Sequence, residues 1–217
     1  MKSFRFITAV LGLSMATTAW ASPVKVWHDL QENKPSLVRA EGVIKAPPEA
    51  VWNYMIRFNE YANFMPTVSE SFFISEAGVE ALRQAETRNA NKIKTIAKKY
   101  KAEMPRKAGQ SWEGLVFMVL NLPFPVENRW YVLKAVQDET RAGEHIYKRC
   151  WSLVIGNIDS AKGCWILEPA NGGSETLGRY EDQIDPGGKL PDWAAKMGAT
   201  QTVPEMFQIL ERVAAAQ

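Results

Sequence analysis

Between Ser36 and Lys45 the chain partly alternates, with Val38, Ala40, Gly42 and Ile44 on one side and Arg39, Glu41, Val43 and Lys45 on the other. A period of two predicts a strand. Pro47-Pro48-Glu49 then opens a helix. Proline is tolerated in a first turn, where N–H groups have no intrahelical partner, and a glutamate there suits the positive end of the helix dipole. Val51, Trp52, Met55 and Ile56 follow at helical spacing. Phe58 to Phe64 forms a second short helix, stopped by Pro66. Residues 68–75 read as another strand. Within 79–107 the period changes again. Ile93, Ile96, Ala97, Tyr100 and Met104 keep helical spacing, while Lys92, Lys94, Lys98, Lys99 and Lys101 fill much of the rest. This is the pattern of a basic amphipathic helix. Two readings are open for it: a helix packed on the domain with a solvated face, or a membrane-surface contact or lid.

Strands resume over residues 111–120, 126–138, 144–155, 163–169 and 174–185, each bounded by turn residues. The stretches NIDSAKG and ANGGS are hairpin loops. A long helical pattern covers residues 192–215, with Trp193, Met197, Thr200, Val203, Phe207, Leu210 and Ala214 along one apolar face. Gly198 and Pro204 predict a kink or break in it. No repeat, low-complexity tract or linker divides the chain.

The ends and the composition refine this picture. Lys2 and Arg5 precede an apolar stretch, residues 6–15, that is short for a bilayer span. Ala19-Trp20-Ala21 supplies the small-x-small pattern of a signal peptidase site. The expectation is a signal peptide over 1–21, cleaved after Ala21, leaving a single domain over 22–217 in the periplasm or outside the cell. Without Lys2 and Arg5 the 26 basic residues fall to 24, equal to the 24 acidic ones. A neutral chain argues against a nucleic-acid partner. In an exported chain the two cysteines, Cys150 and Cys164, form either a disulfide or two separate buried thiols.

The search for chemistry is mostly negative. There is no phosphate-binding glycine loop, no H-E-x-x-H and no G-x-S-x-G. His28 and His145 are the only histidines, so no metal site, cofactor or catalytic residue is expected from motifs. What stands out is a sheet rich in large apolar groups. Alternation places Arg129, Tyr131, Leu133 and Ala135 on one face. Setting Cys150 opposite Cys164 places Tyr147, Arg149, Trp151 and Leu153 on one face with Trp165 and Leu167, and the cysteines on the other. Such a face can fill a core or line a cavity.

Three stretches carry a resemblance: APPEAVWNYMIRFNEYANFMPTV (46–68), PFPVENRWYVLKAV (123–136) and IDPGGKLPDWAAKM (184–197). In order and spacing they resemble START-like domains of the Bet v 1-like (SRPBCC) superfamily over roughly residues 35–215. The resemblance implies an α+β helix-grip fold. In that fold a curved antiparallel sheet wraps a long C-terminal helix, with an apolar cavity between them. Here an extra helical insertion near 79–107 replaces sheet and marks a candidate lid. The resemblance further implies that the protein binds or transfers an apolar small molecule or lipid, an isoprenoid for example, with transient membrane contact through 92–104. Residues implied to face ligand are Tyr61, Phe64, Met65, Trp112, Arg129, Tyr131, Tyr147, Arg149, Trp151, Trp165, Tyr180, Trp193 and Met197. The alternatives are a cyclase/aromatase-type enzyme, with Tyr131, Tyr147, Tyr180 or His145 reaching the cavity, and a protein-interaction module whose cavity is filled.

Overall fold

In the computed structural model, which describes residues 24–29, 36–187 and 196–216, the alternating segments join one antiparallel sheet. Its strands are β1 (Lys25–Asp29), β2 (Ser36–Ile44), β3 (Val68–Phe73), β4 (Ser111–Leu120), β5 (Arg129–Asp138), β6 (Tyr147–Gly156), β7 (Ser160–Ala170) and β8 (Glu175–Asp185). They lie in the order β1-β2-β8-β7-β6-β5-β4-β3. Between β2 and β3 come α1 (Pro48–Met55), a 3₁₀ turn at Phe58–Glu60 and the single turn α2 (Tyr61–Phe64). Pro48 occupies the first turn of α1, with Glu49 beside it. The C-terminal α5 (Val203–Ala214) lies against the inner face of the sheet and packs on α1. This is the helix-grip arrangement. The part of the helical pattern at 192–195 lies outside the described residues.

Alternation decides which side chains meet the helix. On β4 Trp112, Val116 and Met118 face inward, as do Tyr131, Leu133 and Ala135 on β5, and all join the main core with Trp52, Met55, Trp165, Phe207 and Leu210. Phe207 is seated between two strands. Gly42 and Gly178 face each other across β2 and β8. A Cβ on them would approach the Phe207 ring to 3.3 and 3.0 Å. A Cβ at either position would push the ring back by a few tenths of an ångström, so the two glycines let α5 ride close on the sheet.

The insertion is helical, but as two helices: α3 (Glu76–Arg83) and α4 (Ala90–Ala97), the latter continued by a 3₁₀ turn to Tyr100. Ser75 caps α3 through the Gly78 N–H. Asn89 caps α4 through the N–H groups of Asn91 and Lys92. Helical spacing stops at Tyr100, so Met104 lies beyond the helix and is exposed. The two helices cover the outer face of the sheet. Val79, Leu82, Ile93 and Ala97 pack there on Phe72, Phe117, Trp130 and Val132, forming a second core. The lid reading is therefore corrected. The apolar side of this insertion is buried on the face opposite the C-terminal helix, and it contributes nothing to the cavity wall described below.

Three smaller differences have physical causes. The strand β1 lacks a sequence signal of its own and exists as an edge strand paired to β2. Thr200, expected on the apolar face, is exposed, and its hydroxyl donates to the Lys196 carbonyl at 2.9 Å. A five-residue π-helical turn, Gly198–Thr202, precedes α5. The wider turn rotates the side chains out of a simple 3.6-residue series. On the outer face, Cys150 and Cys164 are paired in register on β6 and β7 and joined by a disulfide.

Candidate ligand cavity

A cavity of ≈ 300 Å³ remains between the inner face of the sheet and the C-terminal helix. Its walls are mainly apolar: Val38 of β2, Val116, Met118 and Leu120 of β4, Leu133 and Ala135 of β5, Ile184 of β8, and Met197, Val203 and Met206 from the C-terminal segment. Strand register orients it. Along β5 the inward-facing residues run from Ala135 through Leu133 and Tyr131 to Arg129. At the Arg129 end the wall is made by strand ends and connections, including Met65, Pro66, Thr67, Leu122 and Pro186. This end is the mouth. The other end abuts the packed core around Trp112, where Gln137 pairs with both Trp112 and Arg149.

The few polar groups on the wall are individually placed. At the mouth, the Arg129 guanidinium donates to the carbonyls of Pro186 (2.9 Å), Glu127 (2.9 Å) and Gly187 (3.2 Å), which fixes it as a strut. At the closed end, Arg149 Nη1 donates to the Met55 carbonyl at 2.6 Å and to the Tyr61 hydroxyl, which itself donates to the same carbonyl. Between them, Asp182 Oδ1 accepts a hydrogen bond from Trp151 Nε1 at 3.2 Å. Burial pushes the Asp182 carboxyl up to about 6, against the opposing hydrogen bonds from Tyr180 and Trp151. Burial, and then the Asp182 charge, also raises the Tyr131 and Tyr180 phenols. At neutral pH both phenols are therefore protonated donors facing an apolar space.

Of the residues singled out from sequence, Tyr61, Met65, Arg129, Tyr131, Arg149, Trp151, Trp165, Tyr180 and Met197 line this cavity. Three are placed elsewhere. Phe64 packs at the edge, its ring 5.4 Å from Tyr61 and 6.1 Å from Tyr54. Tyr147 stacks on Trp52 at 5.3 Å, within the core. Trp112 is buried, and its Nε1 donates to Glu139 at 3.1 Å. Trp193 lies outside the described residues. His145 is exposed in the turn before β6, away from the cavity. Asp182 was missed by sequence reading, although alternation from Tyr180 along β8 places it on the inner face.

Comparison with known proteins agrees with this geometry. Residues 44–211 match the family model described as polyketide cyclase/dehydrase and lipid transport. A search of curated proteins gives no match. Among solved structures, a STAR-related lipid transfer protein fragment from Xanthomonas axonopodis superposes with a TM-score of 0.61 at 20% identity, covering 90% of this chain and 95% of that one. The lipid transfer and protein localization domain of human StarD13 gives 0.58 at 16% identity, over 88% of this chain and 84% of that one. The Zhui aromatase/cyclase from a Streptomyces species gives 0.52 at 11% identity, over 82% and 93%. At these identities the structural likeness is one of fold. With the family model spanning most of its length, the chain belongs to the polyketide cyclase/dehydrase and lipid transport family and has the START-like helix-grip fold.

Proposed function

We propose that this protein binds an apolar molecule, a lipid, isoprenoid or similar compound, in the cavity between sheet and C-terminal helix, and carries it through an aqueous compartment. The observation that carries this reading is the cavity itself: apolar walls from the sheet and the C-terminal segment enclose open space, with a few oriented polar groups. That combination is what small-molecule sites share. A core built for stability alone closes such space, because interiors pack to near-crystalline density. The amino-terminal basic-apolar-small pattern supports export, so we place the carrier in the periplasm or outside the cell. Mixing purified protein with total lipid extract, repurifying it and analysing the bound fraction by mass spectrometry tests the binding. Recovery of an apolar small molecule is expected. No bound molecule, together with no uptake of fluorescent fatty-acid and sterol probes, overturns it.

Contact with a membrane is the natural step for loading and release. The apolar side of α4 is used up on the sheet, so α4 and its 3₁₀ extension offer a bilayer charge, through exposed Lys92 and Lys99. The connection after β4 adds an apolar element at the mouth, where Phe124 is 96% exposed beside the wall residue Leu122. We propose that both take part in docking. Sedimentation with anionic vesicles tests this. Phe124→Ser and Lys92→Glu should each lower the bound fraction, and unchanged binding in both contradicts it.

One observation favours an enzymatic reading as the second choice. Asp182 and the Tyr180 hydroxyl form an acid–base pair on the cavity wall, and a carboxyl near pH 6 suits proton transfer. Turnover of a bound polyketide-like substrate that is abolished in Asp182→Asn would move the assignment from carrier to cyclase.

A further inference from the structure

Arg149 has more donors than the protein satisfies. It is only 6% exposed. Its Nη1 is engaged by Met55 and Tyr61. Its guanidinium carbon lies 4.9 Å from the Phe58 ring centre, 5.8 Å from Tyr61 and 5.9 Å from Trp151, so three rings hold the group in place. Among the described residues no carboxylate forms an ion pair with it. Its Nε and Nη2 meet no acceptor there either. These donors are not sealed in protein, since the sealed unpartnered side-chain atoms are Trp52 Nε1 and Ser71 Oγ. They open into the cavity whose closed end Arg149 forms.

A desolvated charge without a partner is costly, whereas a guanidinium edge is shaped to meet two oxygens of one anion. Arg129, the other cation on the wall, is already held by three carbonyls. Asp182, one inward-facing row further out, opposes a second negative charge. The cavity of ≈ 300 Å³ leaves little room for a two-chain lipid. We propose that the ligand is a single-chain apolar acid, its carboxylate on Nε and Nη2 of Arg149 and its chain running past Leu133 and Ile184 toward the mouth. This rests on the cavity being the ligand site and adds the chemical class and orientation of what fills it.

The test compares cis-parinaric acid with its methyl ester, two fluorescent probes of the same chain that differ in charge, titrated into the purified protein at pH 8. The acid should bind at least tenfold more tightly than the ester. In Arg149→Met that preference should vanish. Equal affinity of acid and ester in the wild-type protein overturns the proposal and leaves the carrier reading standing. So does a preference that survives in Arg149→Met. Binding of neither probe also overturns the proposal, and the lipid-extract experiment then decides the carrier reading. If Arg149→Met fails to fold, the wild-type ratio decides alone.

Discussion

Glu139 is 2% exposed, yet it holds an end of the structure together. Arg106 grips it with Nε at 2.9 Å and Nη2 at 3.1 Å, the Gly109 N–H donates at 3.2 Å, and Trp112 Nε1 donates at 3.1 Å. Trp52 Nε1 lies nearby but outside hydrogen-bonding geometry. Burial alone would raise this carboxyl, but the donated hydrogen bonds outweigh it and hold the group below its ordinary value. A depressed folded-state value means a contribution fully present above the unfolded carboxylate range and lost as pH falls through the folded value. Glu139→Gln should cost about 3–5 kcal/mol at pH 7, the scale of breaking a buried pair. In urea melts the gap to wild type should shrink as pH drops toward 3. Asp182 behaves in the opposite way. Its value, raised to about 6 by burial, means that the folded protein binds its proton more tightly than the unfolded chain. Stability then falls as pH rises from about 4 to about 6, and the penalty persists above that. Asp182→Asn should therefore stabilise the protein by about 1–3 kcal/mol at pH 8 and by little at pH 4. Thermal melts at the two pH values check this, and equal shifts at both would contradict it.

At the scale of elements, the Phe207 seat offers a direct handle on the cavity. Gly178→Val puts methyl groups where the Phe207 ring lies, 3.0 Å from an added Cβ. Overpacking of this kind costs about 1–3 kcal/mol. The expected result is a lower melting temperature with weakened probe binding, because α5 must lift from the sheet and it carries Val203 and Met206 on the cavity wall. The β6–β7 disulfide closes a loop of sequence separation 14. Cys150→Ser with Cys164→Ser should cost at most about 3 kcal/mol, since the hairpin already constrains those residues. Elements differ in how far their sequences announce them. The strands 111–120 and 174–185 are legible because turn residues bound them, the first ending in an apolar run, 115–120, that is packed on both faces of the sheet and the second alternating. Gly198 and Pro204 announce the interruption that appears as the π-helical turn. By contrast β1 is five residues, four of them exposed, and its existence depends on the free edge of β2. The 79–107 pattern announces helix. It does not say which face of the sheet the helix will cover, because Ile93 and Ala97 suit either apolar surface.

At the scale of the molecule, two cores share one sheet and do different work. The outer core, under α3 and α4, is closed and stiffens β3, β4 and β5 from behind. The inner face is packed at one end by Trp52, Tyr147 and Trp112 and left open toward the mouth. The aromatic excess of the stretch from Trp52 to Phe64 is thereby divided. Trp52 and Phe58 are core, with Phe58 also reaching the wall. Tyr61 orients Arg149, and Phe64 braces the edge. That division depends on contacts with β6 and β7, far along the chain, and no local pattern carries it. The polar character of the cavity was equally hidden. Alternation reveals that Arg149 and Asp182 face inward, but their want or supply of partners is settled only when Met55, Tyr61, Trp151 and Tyr180 converge on them. A ligand seated there adds binding energy to the folded state alone, so occupancy should raise the melting temperature with ligand concentration. On this reading the space exists to be filled by a small apolar molecule. Native mass spectrometry of the protein purified from its own cells puts this to the test. The expected spectrum shows a species heavier than the polypeptide by one small molecule, released on denaturation and extractable into organic solvent. A spectrum of bare polypeptide, unchanged after incubation with lipid extract, would contradict it.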